Sequence, residues 1–246
     1  MKKIVLPLIF AFGVNFIYGQ TINQSYFKNG LNNYEFTLAS NGTNHLFDLG
    51  WNHLHGVTKN KKFRIGYGIR FTGINGRGDF YTAPAKLTSG VENPTAIFAA
   101  DKLENFDTIN VNNYTIGSLN LIIHLNYQFN KKWEAEFNID AIGFSFGNSE
   151  TTNYNSTKRL NTNPVADVKQ NAKPTPFNLL LISDNDLGSL NSQIKIKYYF
   201  NSQWAINFGG TFIFSELTTD NKLFKDNDRF RQKTFMPMIG ITYKPF

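Results

Sequence analysis

Three features of the sequence predict an all-β fold, an eight-stranded antiparallel up-and-down transmembrane β-barrel with long extracellular loops and short periplasmic turns. Segments of about ten residues alternate between apolar and polar side chains, the period of a strand with two unlike faces. Short polar turns take turns with long polar connections along the chain, as in membrane barrels. Aromatic residues make up 15% of the chain, 24 of them phenylalanine, yet no apolar run after residue 17 reaches the roughly 20 residues that a spanning helix needs.

The chain begins with Lys2 and Lys3, continues with an apolar stretch over residues 4–17, and reaches Tyr18-Gly19-Gln20. A basic start, a short apolar middle and a small residue at the end make a secretory signal peptide. Residues 1–19 are assigned to it, residues 20–30 to a periplasmic N-terminal tail, and residues 31–246 to the barrel. None of the 246 residues is cysteine, which excludes a lipid-anchored N-terminal cysteine, a disulfide framework and a cysteine zinc site. The formal charge is +7, or +5 without Lys2 and Lys3, and no block of like charge accompanies it. No nucleic-acid partner is therefore expected.

The strands follow in order. Residues 31–39 form the first, closed by Ser40-Asn41-Gly42-Thr43, whose Asn-Gly is a tight-turn signal. Residues 46–57 and 63–73 flank the short turn 58–62. Residues 115–129 and 133–146 flank 130–132, residues 190–200 and 204–214 flank 201–203, and residues 234–246 come last. The long connections are 75–113, 147–188 and 218–233, rich in Asn, Thr, Ser, Pro and Asp. An even strand number puts both termini on the side of the short turns, the periplasmic side of a bacterial barrel. Protease added outside intact cells is then expected to cut around Val91, Asn163 and Asn227 and to spare Lys59, Lys61 and Lys131.

The faces distinguish a membrane barrel from a soluble one. Phe63, Ile65, Tyr67, Ile69 and Phe71 share one face, and Arg64, Gly66, Gly68, Arg70 and Thr72 the other. Leu119, Leu121, Ile123, Leu125, Tyr127 and Phe129 oppose Ser118, Asn120, His124, Asn126 and Gln128; Ile194, Ile196, Tyr198 and Phe200 oppose Gln193, Lys195 and Lys197. Trp204, Ile206, Phe208, Phe212 and Phe214 oppose Asn207, Gly209 and Thr211. Each apolar run matches a tilted strand crossing a lipid band roughly 25 Å tall. Phe129, Trp133, Phe200 and Trp204 fall beside short turns, where an interfacial aromatic girdle belongs.

The second face carries charge of both signs: Arg64, Arg70, Lys195 and Lys197 against Glu35, Asp48, Glu134, Glu136 and Asp140. An eight-stranded barrel is only wide enough for its own side chains, so near balance predicts a lumen filled by an ion-pair network. Glu134 and Glu136 are expected to meet Lys195 and Lys197 across neighbouring strands. Arginine at outward Ile123 or Phe208 is expected to cost more stability than at inward Asn126 or Asn207.

On these residues the chain resembles the eight-stranded outer-membrane barrels of the OmpA/OmpX type, and its Asn- and Lys-rich texture is similar to barrel proteins of Bacteroidetes, over residues 31–246. The terminal Phe246 resembles the C-terminal aromatic read by the barrel-insertion machinery. Ile239, Ile241 and Tyr243 precede it at alternate positions, and Pro245 departs from the family pattern by putting Phe246 out of phase. Pro237 predicts a bulge or a weak ladder position. The resemblance implies a Gram-negative outer membrane, with its lipids, lipopolysaccharide among them, and the insertion machinery as partners, and no cofactor.

No catalytic or metal constellation emerges. The four histidines are His45, His53, His55 and His124; two of them two residues apart bind a metal only with further ligands. Arg77-Gly78-Asp79 invites an adhesion reading, though Gly76, Gly78 and Asp79 are also ordinary turn residues. An apolar run, Phe177-Asn178-Leu179-Leu180-Leu181-Ile182, reads as a strand extension, and Lys222, Lys225, Arg229, Arg231 and Lys233 could form a basic rim for lipopolysaccharide phosphates. The expected function is a structural or surface-interaction role without enzymatic activity. A small-solute pore and a lipid-modifying enzyme are the alternatives.

Overall fold

The period-two pattern folds into eleven β-strands and one short helix among the described residues of the computed structural model, which are 30–90, 100, 102, 105–156, 168–181, 185–223 and 226–245. The signal peptide, residues 20–29 of the tail, and Phe246 lie outside them, as do Val91, Asn163, Ile182 and Lys225. The strands are β1 (Leu31–Ser40), β2 (His45–Gly56), β3 (Phe63–Thr82), β4 (Asp107–Gln128), β5 (Trp133–Gly147), β6 (Glu150–Ser156), β7 (Val168–Pro174), β8 (Phe177–Leu179), β9 (Leu190–Tyr199), β10 (Trp204–Thr219) and β11 (Arg229–Tyr243). Helix α1 (Ala85–Thr88) follows β3. No helix among the described residues is long and apolar enough to cross a membrane.

Eight strands make the wall, in the order β1-β2-β3-β4-β5-β9-β10-β11, every neighbouring pair antiparallel. The ring closes between β11 and β1, with Tyr34 opposite Tyr243 and Ala39 opposite Met238. The short turns are made by a repeated local device. In Asn130-Lys131-Lys132-Trp133 the Asn130 Oδ1 accepts the N–H groups of Lys132 (2.8 Å) and Trp133 (3.1 Å). In Asn201-Ser202-Gln203-Trp204 the Asn201 Oδ1 accepts those of Gln203 and Trp204, both at 2.8 Å. An asparagine that caps its own turn leaves the following tryptophan at the strand foot, facing out.

The wall strands run further than the sequence pattern suggests. β3 continues to Thr82, β4 starts at Asp107, β10 ends at Thr219 and β11 begins at Arg229, so parts of the three expected loops are strand. β6 and β7, from inside the expected loop 147–188, pair with each other and bridge β4 to β10. β11 meets β3 directly, Phe230 opposite Thr82 and Arg231 opposite Tyr81. Together β3-β4-β6-β7-β10-β11 close a second, six-stranded ring above the eight-stranded one.

The two rings have opposite insides. In the upper ring and at its junction with the lower one, Ile74, Phe80, Ile109, Val111, Tyr114, Ile116, Tyr154, Ile213, Leu217, Phe230 and Met236 point inward and form one apolar core. A strand passing through both rings therefore exchanges its faces. On β3, Phe63 to Phe71 face out and Arg64 and Arg70 face in; higher up, Ile74 and Phe80 face in and Asn75, Arg77 and Asp79 face out. At the exchange, the direction in which apolar surface is buried reverses.

Several expectations change in this frame. Asp79 sits within β3, its carboxylate accepting from Asn110 Nδ2 (2.8 Å), so Arg77-Gly78-Asp79 is part of a paired strand and not a loop tip. The β10–β11 ladder passes Pro237 in unbroken register, whereas the β1–β11 ladder stops one residue short of it; the proline sits at a ladder's end and makes no bulge. Register shifts lie elsewhere, at Ala141 of β5, between the pairs Leu121–Ile142 and Ile122–Asp140, and beside Arg77 of β3, between the pairs Gly76–Tyr114 and Gly78–Val111. The one at Ala141 shifts the outward residues of β5 from Phe137 and Ile139 to Ile142, Phe144 and Phe146. The run at Phe177 forms β8, which carries the wall upward along β5 from where β9 leaves it. Asn227 is buried in the connection between β10 and β11, its Oδ1 accepting from Arg229 N–H and its carbonyl from Leu223 N–H. External protease is therefore expected to cut near residues 91 and 163 and to leave 227 intact, read by the fragment masses. Cleavage confined to Lys59, Lys61 or Lys131 would show that the barrel sits upside down.

Candidate functional site

Many charges converge in the lumen of the lower ring, put there by the inward positions of five wall strands, β1, β2, β3, β5 and β9. Near the short turns, Arg64 of β3 pairs with Glu134 of β5 at 2.8 Å and donates to Gln128 and Asn126. Glu134 also accepts from Asn126 Nδ2 (3.2 Å). One level up, Lys195 and Lys197 of β9 both contact Glu136 of β5, at 3.2 and 2.6 Å. The same two ammonium groups reach Glu35 of β1, which projects from three strands further round the ring. His124 Nδ1 lies 3.0 Å from Glu136 Oε1. Higher still, Arg70 of β3 pairs with Asp140 at 2.6 Å, and Asn120 Nδ2 and the Asn191 N–H complete the shell of that carboxylate.

All nine charged residues proposed for the lumen lie in this layer, with one difference of kind. Asp48 of β2 is held by neutral donors, Thr72 Oγ1 at 2.6 Å and Gln193 Nε2 at 2.5 Å, rather than by a cation. Glu134 and Lys197, opposite each other in the β5–β9 ladder, take other partners: Glu134 turns to Arg64, and Lys197 joins Lys195 on Glu136 and Glu35. Glu35, Glu136, Lys195 and Lys197 thus form a compact two-plus-two cluster across the lumen. Lys195 is 1% exposed, Lys197 0%, Glu136 2% and Asp140 0%, a degree of burial at which ions persist only when paired and hydrogen-bonded. Above this layer the apolar core of the upper ring blocks the same axis a second time.

A further ionic cluster escaped the sequence reading. Glu216 of β10 is fully buried between Arg229 (2.8 Å) and Arg231 (2.8 Å) of β11. The segment between β8 and β9 covers it: Gly188 N–H donates to Glu216, and the Asp186 carbonyl accepts from both arginines. Two of the five residues of the expected basic rim thereby share one buried carboxylate. Nothing local marks Glu216, because its partners come from another strand and its cover from a loop.

The outside of the lower ring is a continuous apolar belt. Tyr34, Phe36, Leu38, Phe47, Leu49, Ile69, Leu121, Ile123, Phe144, Phe208, Phe212, Phe235 and Ile239 are among its exposed members. At its foot, Phe129, Trp133, Phe200 and Trp204 all project outward; Trp133 packs at a tilt against Tyr198 (4.8 Å) and Trp204 against Tyr243 (4.7 Å). His53 and His55 join this girdle, their rings 4.5 Å apart and beside Trp51 and Tyr67, with Asn32 Oδ1 on His53 Nδ1 at 2.8 Å. Among the described residues no group of three or more His, Asp or Glu is arranged to hold a metal ion. Ser40 Oγ lies 2.9 Å from His45 Nδ1, but that oxygen also accepts Gly42 N–H in the turn, and no carboxylate among the described residues is hydrogen-bonded to His45. The arrangement caps a hairpin and lacks the third group that would orient a catalytic base.

No family model and no curated protein matches the chain. Among solved structures it is similar to Neisserial surface protein A (5% identity, 88% of this chain and 96% of that one, TM-score 0.36). It is also similar to Ail, the attachment invasion locus protein of Yersinia pestis (9%, 88% and 97%, 0.33), and to the N-terminal β-barrel domain of Pseudomonas aeruginosa OprF (10%, 88% and 100%, 0.32). What this chain does is therefore argued from its own residues.

Proposed function

We propose that this chain is a non-enzymatic β-barrel of a Gram-negative outer membrane, with a structural or surface-interaction role and a lumen filled rather than open. The observation that carries this reading is the exchange of faces along the wall strands: apolar outside and ionic inside below, apolar inside and polar outside above. An exposed apolar belt of this extent is unfavourable in water and favourable in lipid. In this reading residues 1–19 direct export, Phe246 addresses the insertion machinery, and outer-membrane lipids contact the belt. The upper ring then carries the extracellular connections as a surface for a partner.

In planar bilayers the purified barrel is expected to show no steady conductance. A stable, reproducible open channel would overturn the filled-lumen reading in favour of a small-solute pore. Mass spectra of lipid A from overexpressing cells are expected to match those of control cells, and a new acylation or deacylation product would overturn the non-enzymatic assignment.

A further inference from the structure

Beside the β1–β2 hairpin the wall lacks a ladder among the described residues. The β1–β2 hairpin turns at residues 41–44, with Ser40 opposite His45, while its neighbours β3 and β11 climb on before meeting at Tyr81 and Arg231. Between the hairpin tip and that meeting point no backbone ladder joins β3 to β11. Side chains fill the gap instead. The Tyr114 hydroxyl lies 2.9 Å from Asn44 Oδ1 and 2.8 Å from Gln232 Oε1, and burial raises its pKa, so it keeps its proton. Two glycines of β3 make room for these amides. A Cβ on Gly76 would fall 1.8 Å from Asn44 Oδ1, and one on Gly78, whose φ is +137°, 2.6 Å from Gln232 Nε2.

Two cavities adjoin this gap and share His45. The lower one, about 540 Å3, is lined by Leu38, Ala39, Leu46, Pro237, Met238 and Ile239, with Ser40 and His45 at its rim. Leu38 and Ile239 belong to the exposed apolar belt, so this groove opens onto lipid. The upper one, about 250 Å3, is polar, lined by Thr43, His45, Asn75, Gly76, Arg77, Asn112 and Asn113. Arg77 is its one cation, exposed and without an ion pair among the described residues, and no acidic residue lines it. An apolar trough on the membrane side leads into a positively biased polar recess on the water side.

The geometry points to a docking groove for one acyl chain of an acidic amphiphile of the outer leaflet, its acidic head held at His45 and Arg77. The volume lies within the range of small-molecule sites, and an apolar body with a few polar anchors is their usual make-up. His45 spends Nδ1 on Ser40 and keeps Nε2 for a ligand. Pro237 argues against a docked peptide strand at this edge, since it has no N–H to offer a ladder. The inference rests on the membrane-barrel reading, because the trough takes a lipid chain only if the belt lies in lipid.

The test uses the full chain refolded in phosphatidylcholine vesicles that contain a long-chain fatty acid bearing a photoreactive diazirine on its chain. The corresponding fatty alcohol serves as the uncharged control. After irradiation, labelled peptides are identified by mass spectrometry. The acid is expected to concentrate on Leu38 and on Pro237 to Ile239, and the alcohol to spread over the belt. The double variant His45→Ala, Arg77→Ala is expected to lower labelling of the groove by the acid by at least about tenfold, the factor that losing a single charge-assisted hydrogen bond already brings. Labelling at Leu121, Ile123 and Phe208 should stay unchanged. Ser40→Phe, which fills the trough, is expected to abolish groove labelling and leave the belt labelled. Uniform labelling of the belt by acid and alcohol alike overturns the groove and leaves the membrane reading standing. Absence of label from belt and groove together overturns both.

Discussion

Glu136→Ala destabilises the barrel by about 3–5 kcal/mol, the cost of leaving buried charge without its partner. Glu136 faces Lys195 at 3.2 Å and Lys197 at 2.6 Å, and removing it leaves two ammonium groups to one remaining carboxylate, Glu35. His124 loses its acceptor in the same step. Three polar groups at 0–1% exposure then depend on a shell built for four, with no room for bulk water to repay the loss. Removing a cation as well restores the balance. The double variant Glu136→Ala, Lys197→Ala is therefore expected to recover part of the stability, an interaction of opposite sign to the two single losses. Reversible denaturant titration in lipid vesicles measures all four corners of the cycle. A double variant that loses the sum of both single losses would show that the four charges do not act as one cluster, and the filled-lumen reading would lose its main support.

Phe208→Arg and Ile123→Arg each cost about 2–4 kcal/mol near mid-membrane, whereas Thr115→Arg, on the same outward face of β4 as Ile123 but above the belt, costs about 0–1 kcal/mol. Phe208 and Ile123 are 42% and 45% exposed, which in water would make either change nearly neutral. The penalty exists only if that exposure is to lipid. Equal losses at Ile123 and Thr115, in the same titration, would remove the membrane from the argument. The inward comparison at Asn126 or Asn207 is no longer the mild one. Asn126 accepts from Arg64 and donates to Glu134, and Asn207 is closed onto Thr242 at 2.9 Å. Arginine at either site meets a filled interior, so the outward Thr115 above the belt is the milder comparison.

The lower ring was legible because a strand reports its two faces locally. Phe63 to Phe71, Leu119 to Phe129 and Trp204 to Phe214 each display an outside and an inside without reference to any other strand, and the asparagine-capped turns display the hairpins. That much identified the wall, the girdle aromatics and the residues that face the lumen. It also placed Lys195 and Lys197 level with Glu134 and Glu136, because each pair lies a few residues from a short turn at the same end of the barrel.

What the sequence could not carry was anything set by strands far apart in it. Glu35 reaches Lys195 and Lys197 across the lumen, a meeting decided by ring closure between β11 and β1. Asp48 lies beside hydroxyl and amide donors because of the β2–β3 register and the reach of β9, and no local feature separates it from the paired acids. β6 and β7 read as polar loop, since the small interior of the upper ring is largely filled by residues of other strands, Phe80, Tyr114 and Phe230, while β6 and β7 add Thr152, Tyr154, Gln170 and Ala172, a mostly polar or small set. By itself the sequence determined that this chain builds two-faced strands joined by short and long connections, because alternation and turn chemistry are local. The tertiary structure decided which charges meet, where the second ring closes and where the wall stays open, because each depends on partners brought together by closure and register.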